Sequence, residues 1–146
     1  MKEKLEQFPA QYQQPVAWGD MDALGHVNNV IYYRYIESAR IHYFKQMDLF
    51  SHKISMVISK SSCHYLSPVI YPDTLIIGAR VEEIRSSAMR MSYALYSESQ
   101  GHIVATGEAV MVCLDLKTQQ KTQIPVSLKQ LILDFERSIG HTPVQI

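Results

Sequence analysis

The sequence predicts an α+β fold in which one long helix lies against a curved antiparallel sheet of about five strands, with a short helix near the C-terminus. Three observations predict it. From Val30 to Phe50, about 20 residues run without Gly or Pro, and Tyr32, Ile36, Ala39, Tyr43 and Met47 recur at helical spacings of three and four. From Leu75 to Leu116, three apolar segments follow one another with only short polar turns between them. Close to the end, Leu128, Leu131, Ile132 and Phe135 form a second, shorter helical stripe.

In chain order, residues 1–15 are polar and punctuated by Pro9 and Pro15, and Val16-Ala17-Trp18 reads as a short strand. Gly19 to Asn29 is a loop of turn-forming residues, and Asn28 or Asn29 supplies the N-cap of the long helix. Residues 54–67 form a strand ending at Pro68, and Tyr71-Pro72-Asp73 is a turn. Leu75 to Ile84 is the next strand, closed by the tight connection Arg85-Ser86-Ser87. Ala88 to Ser97 alternates, with Met89, Met91, Tyr93 and Leu95 on one face. Gln100-Gly101 turns the chain into the last long strand, Ile103 to Leu116, whose Ala105, Gly107 and Ala109 share a side. Consecutive strands with short turns make an antiparallel meander. Ser127 to Arg137 is the short helix.

Composition bounds the function. A chain of 146 residues makes one domain, 1–146, at roughly 100–200 residues per domain. Lys plus Arg is 14 and Asp plus Glu is 14, so no net field gathers nucleic acid. The low charged share, 19%, suits a chain that buries surface in an oligomer. Cys63 and Cys113 stand far apart and outside any CxxC pair, which rules out a disulfide scaffold and a zinc ribbon. His42, His52, His102 and His141 show no ligand spacing, so no metal is expected. The polar start lacks a signal-peptide core, and no apolar run approaches the roughly 18 residues of a membrane span. The expectation is a cytoplasmic protein with no membrane partner.

Chemistry concentrates in the loop Asp20-Met21-Asp22-Ala23-Leu24-Gly25-His26-Val27-Asn28-Asn29. It holds two carboxylates and an imidazole directly before a long helix. The helix start offers free amides and a partial positive charge, which can stabilise an oxyanion on a substrate carbonyl. A carboxylate and an amide donor at one helix end suffice for acyl-group hydrolysis; the same residues also serve simply as a capping loop.

The run Trp18-Gly19-Asp20-Met21-Asp22-Ala23-Leu24-Gly25-His26-Val27-Asn28-Asn29, continued by an aromatic helix and Glu37-Ser38-Ala39-Arg40, resembles the signature of the hotdog-fold acyl-CoA thioesterases, the 4-hydroxybenzoyl-CoA thioesterase-like group. Tyr65 to Asp73, Arg85-Ser86-Ser87 and Ala105-Thr106-Gly107 match in outline, so the resemblance spans about residues 15–125. It implies hydrolysis of acyl-CoA to free acid and coenzyme A without a further cofactor, coenzyme A being part of substrate and product. It implies a homodimer joined sheet to sheet, often paired into tetramers, with active sites at the interface. The catalytic carboxylate it implies is Asp22, as general base or nucleophile. The backbone amide seven residues on, that of Asn29, polarises the carbonyl. His26 orients the loop or touches the substrate. Asp20 is a turn residue and Asn28 a cap. Tyr32 is substrate-binding or packing. Arg85, Ser86 and Ser87 resemble the place that binds the pantetheine and nucleotide, with Lys60, Arg90 and Lys117 as weaker candidates. Met89 and Met91 read as core, or as an adaptable acyl pocket.

Three alternatives compete. A hydratase pattern places Asp five residues before His with Asn and Pro between; Asp22 precedes His26 by four, Asp20 by six, and no proline intervenes. A non-catalytic acyl-CoA-binding module and an acyl-carrier-protein thioesterase remain open. Cys63 and His64 are adjacent on a strand and point to opposite faces, so they do not form a nucleophile–base pair.

Overall fold

A computed structural model describes residues 2–146; Met1 lies outside it. A 3-10 helix (Lys2–Gln7) precedes β1 (Ala10–Pro15), and a short 3-10 turn and a loop then lead into α1 (Ile31–Lys45). Four long strands follow: β2 (Ile54–Tyr65), β3 (Thr74–Ile84), β4 (Ala88–Ser97) and β5 (His102–Asp115). The chain ends with α2 (Val126–Arg137) and the two-residue β6 (Val144–Gln145). The sheet order is β1-β3-β4-β5-β2, antiparallel at every step, and β6 adds in parallel beside the end of β3. The expected meander is the centre of the sheet. β2 crosses to the far edge, where, among the described residues, it bonds only to β5.

Alternation places the inner face. Met89, Met91, Tyr93 and Leu95 of β4 are each no more than 2% exposed. The helical stripe meets them: Tyr32, Ile36, Ala39 and Tyr43 are buried on α1, and Met47 just beyond its end. Gly107 lets the helix approach, because a Cβ there would stand 2.8 Å from Ile36 Cδ1. On the opposite face, Leu5 of the N-terminal segment packs with Ile76, Ala94 and Tyr96 in a smaller apolar cluster.

Several boundaries differ from expectation. The first strand is Ala10–Pro15, and Trp18, expected in a strand at 16–18, is 76% exposed on the 3-10 turn. The strand hides because glutamines occupy the alternating positions of a sheet edge. The long helix stops at Lys45, and left-handed residues at Asp48 (φ 47°) and Lys53 (φ 58°) turn the chain into β2. On α2, Leu131 is 42% exposed, whereas Glu136 is fully buried.

Glu136 replaces Leu131 in the core because it is fully bonded. Its Oε2 accepts from the Tyr43 hydroxyl at 2.5 Å and from the Val81 amide at 2.9 Å, and His141 Nδ1 lies 2.7 Å from Oε1. Burial pushes the Tyr43 phenol up, and the adjacent Glu136 carboxylate adds to the shift, so Tyr43 stays a donor. One carboxylate thus ties α2 to α1 and β3.

Candidate functional site

The loop before α1 is closed by its own polar groups. The Asp22 amide donates to the His26 carbonyl at 2.8 Å, and the Gly25 amide donates to the Asp22 carbonyl at 3.1 Å. Asp22 Oδ1 accepts from the amides of Leu24 (2.9 Å) and His26 (3.4 Å). Gly25 sits at φ +85°, a left-handed conformation that glycine adopts without steric cost. The Val27 amide donates to the Val69 carbonyl, pinning the loop to the segment after β2.

Asp20 fixes this loop to the helix. Its carbonyl accepts from the Asn28 amide at 2.9 Å, and its Oδ2 accepts from the Tyr35 hydroxyl at 2.5 Å. Burial pushes the Tyr35 phenol up, and the bond to Asp20 pushes the same way, so the hydroxyl remains a donor. A hydrogen bond to a charged acceptor contributes about 1.5–3 kcal/mol. Tyr35→Phe is therefore expected to lower stability by about 2 kcal/mol and kcat/KM by roughly tenfold through loosening of the loop. Thermal denaturation and steady-state kinetics check both, and unchanged kinetics would remove Asp20 from any positioning role.

The start of α1 differs in detail from the cap expected. Val30 occupies the N-cap position and lends no side-chain bond. Asn28 acts two residues earlier: its Oδ1 accepts from the Val30 amide at 3.2 Å and its carbonyl from the Ile31 amide at 2.9 Å. The Asn29 carbonyl accepts from the Tyr65 hydroxyl at 2.8 Å. Among the described residues, the Asn29 N–H has no acceptor.

A cavity of about 310 Å³ opens between this loop and the end of β2. Asp22, His26, Asn29 and Tyr32 line one side, and Tyr65, Leu66, Ser67 and Pro68 the other. The Tyr32 and Tyr65 rings meet edge to face, 4.9 Å between centroids. Tyr32 thus both packs in the core, at 3% exposure, and walls the cavity. A carboxylate, an imidazole and an unpaired amide at the positive end of a 15-residue helix share one space. Such a space can activate water or attack a carbonyl, and stabilise the oxyanion that forms.

Sequence reasoning did not assign Tyr65, Leu66, Ser67 or Pro68 to the site. The available signal was an aromatic residue at a strand end three positions before a proline, within the stretch that resembles the family's strand-to-turn segment.

Arg85, Ser86 and Ser87 are not brought to this cavity. They join β3 to β4 at the end of the sheet opposite Thr74, about 33 Å along the strand at about 3.3 Å per residue. Arg85 Nε donates to Glu83 Oε1 at 2.7 Å, and the Ser86 and Ser87 carbonyls accept from the amides of Ile124 and Cys113. The Arg85 and Arg90 guanidiniums hold the Glu83 carboxyl below the usual carboxylate range. Arg90 also meets Glu108, while Lys60 and Lys117 are exposed elsewhere. Burial pushes the Cys63 thiol up, which leaves it a poor nucleophile at neutral pH. Met89 and Met91 lie in the core, and Met56 and Met111 line a second cavity. Among the described residues no three His, Cys, Asp or Glu side chains are grouped to hold a metal, and no helix is long and apolar enough to cross a membrane.

Comparison with known proteins identifies the family and fold. Residues 16–132 match the sequence profile of the thioesterase-like superfamily. The chain is similar to the long-chain acyl-CoA thioesterase FadM of Escherichia coli, 28% identical over 114 residues, covering 75% of this chain and 86% of FadM. Among solved structures it is similar to a thioesterase of Thermus thermophilus complexed with coenzyme A and zinc, with TM-score 0.81, 30% identity, and coverage of 90% of this chain and 97% of that one. It is also similar to the PA5185 protein of Pseudomonas aeruginosa, with TM-score 0.79, 28% identity, and coverage of 89% and 93%.

Proposed function

Because this chain belongs to the thioesterase-like superfamily, we propose that it hydrolyses acyl-CoA thioesters with Asp22 as the reacting carboxylate. The observation that carries the proposal is the shared cavity of Asp22 and the unpaired Asn29 amide. The Asn29 N–H donates to the thioester carbonyl and stabilises its oxyanion. Asp22 takes a proton from the attacking water, or itself attacks the carbonyl to give a mixed anhydride that water then cleaves. The C–S bond breaks, the acyl group leaves as a carboxylic acid, and the sulfur takes a proton to become the coenzyme A thiol. His26 lines the same cavity and orients loop or substrate. Similarity to FadM and to the coenzyme A-bound Thermus protein supports an acyl-CoA substrate.

The functional unit in this proposal is a homodimer formed through β2. That strand presents a twelve-residue edge bonded on one side only, with Val57 and Ile58 each at least 40% exposed. Long exposed edges of this kind are templates for pairing with another chain. The Ser87 carbonyl accepts from the amide of Cys113, which pairs with Met56 of β2. Antiparallel β2 pairing therefore carries Arg85, Ser86 and Ser87 of one subunit toward the Asp22 cavity of the other, where the coenzyme A phosphates meet them. Ile58→Asp places a charge at each copy of this edge and is expected to yield monomers by sedimentation with an unchanged circular-dichroism spectrum.

The test of the activity is thiol release from a panel of acyl-CoA thioesters, from short to long and aromatic. Turnover of at least one is expected. Silence on the whole panel, with turnover of an acylated carrier protein, replaces coenzyme A as the carrier. Silence on both, with ligand binding retained, makes the chain a binding module.

A further inference from the structure

A second cavity, of about 290 Å³, lies between the C-terminal half of α1 and the start of β2. Phe44 and Met111, both at least 95% buried, belong to its lining, together with half-buried Leu49 and Met56 and the more exposed Ile41. Within one protomer a third cavity, of about 150 Å³ and of mixed lining (Ile36, Ile58 and Ala109 beside Glu37, Arg40 and Glu108), lies between the second cavity and the Asp22 site.

The β2 register offers another route. β2 carries a bulge between Ile58 and Lys60. Through the pairing with β5, Ile54, Met56 and Ile58 face inward before the bulge, and Ser61, Cys63 and Tyr65 after it, opposite Ala109, Gly107 and Ala105. Antiparallel pairing of β2 with a second copy over its full length opposes Ile54 to Tyr65, Met56 to Cys63 and Ile58 to Ser61. Each of these three pairs then joins two inward residues, and the residues between them pair outward to outward. In a regular twelve-residue strand the same pairing would join inward to outward positions, because side chains alternate with period two. The extra residue makes this strand match itself about a two-fold axis perpendicular to the sheet.

That axis sets Met56 of one subunit beside Cys63 of the other, and Ile54 beside Tyr65, which walls the Asp22 cavity. We propose that the apolar cleft of each subunit receives the acyl tail of the thioester cleaved at its partner's Asp22, making the enzyme selective for long acyl chains through a site composed in trans. The inference rests on the thioesterase reading above and on the β2 dimer.

The test uses purified heterodimers carrying two different affinity tags, with butanoyl-CoA and hexadecanoyl-CoA as substrates. Leu49→Trp fills the cleft away from the edge strand, and Ile41→Trp fills its more exposed side if the first variant folds poorly. Either is expected to lower the ratio of kcat/KM for hexadecanoyl-CoA to that for butanoyl-CoA by about tenfold. A heterodimer of Asp22→Asn with Leu49→Trp has one whole site in trans and is expected to cleave hexadecanoyl-CoA at about half the wild-type rate per dimer. A heterodimer of wild type with the double variant has none and is expected to be nearly inactive on that substrate. The reverse pattern places tail and carboxylate in one subunit and overturns the inference, as do an unchanged chain-length ratio and a monomeric wild type. In those cases wild-type turnover still upholds the thioesterase reading; absence of wild-type turnover overturns both.

Discussion

Asp22→Asn is expected to lower kcat/KM on the best acyl-CoA substrate by about a thousandfold, within the range of about 10²–10⁴ that a positioned acid or base contributes. That loss corresponds to about 4 kcal/mol of transition-state stabilisation. The substitution is chosen for its shape. Asn keeps an oxygen where Asp22 Oδ1 accepts from the amides of Leu24 and His26, so the loop persists. It removes only the charge and the basicity. Melting temperature and dimer content should therefore match wild type while thiol release collapses. Asn29→Ala is the counterpart. The group proposed to polarise the carbonyl is a backbone N–H, which no side-chain change deletes, so the loss there should stay within about fivefold. A variant at Asp22 that keeps more than a tenth of wild-type kcat/KM would end its role as base or nucleophile, whatever the substrate.

Glu136→Leu is expected to have the largest effect on stability. The substitution leaves the Tyr43 hydroxyl and the Val81 amide buried without the acceptor they share. Each orphaned buried donor costs about 1–3 kcal/mol, and breaking a buried charged cluster about 3–5 kcal/mol. A loss of about 4 kcal/mol, or roughly 10 °C in Tm, follows for a domain of this size. Glu136→Gln retains an oxygen acceptor and should lose less than half as much. Tyr43 lies near the C-terminal end of α1, away from the loop that carries Asp22. Below the transition, kcat should accordingly be unchanged in both variants. Equal melting temperatures for Glu136→Leu and wild type would show that the buried carboxylate adds nothing to stability.

The two effects differ in how far the sequence announced them. Asp22, His26 and Asn29 stand within eight residues of one another, and a loop that short folds back on itself by local bonds. Its motif is legible in the linear order of the residues. Glu136 is not, because it occupies a position on a helix where a charged residue normally faces water. Its partners Tyr43 and Val81 lie 93 and 55 residues away. The glutamines of β1 misled for a related reason: an edge strand needs only one covered face, so its polar residues conceal the alternation.

Periodicity and turn chemistry, acting within a few residues along the chain, specify the long helix, the meander of β3, β4 and β5, the residues of the inner face and the loop where chemistry concentrates. Long-range packing specifies the rest: that β2 crosses to the edge, that Tyr65 closes the cavity over Asn29, that Arg85 to Ser87 lie at the opposite end of the sheet, and that β2 carries a bulge between Ile58 and Lys60. These depend on which distant segments pair. Pairing is set by the packing and hydrogen bonding of the whole sheet, which no local pattern encodes.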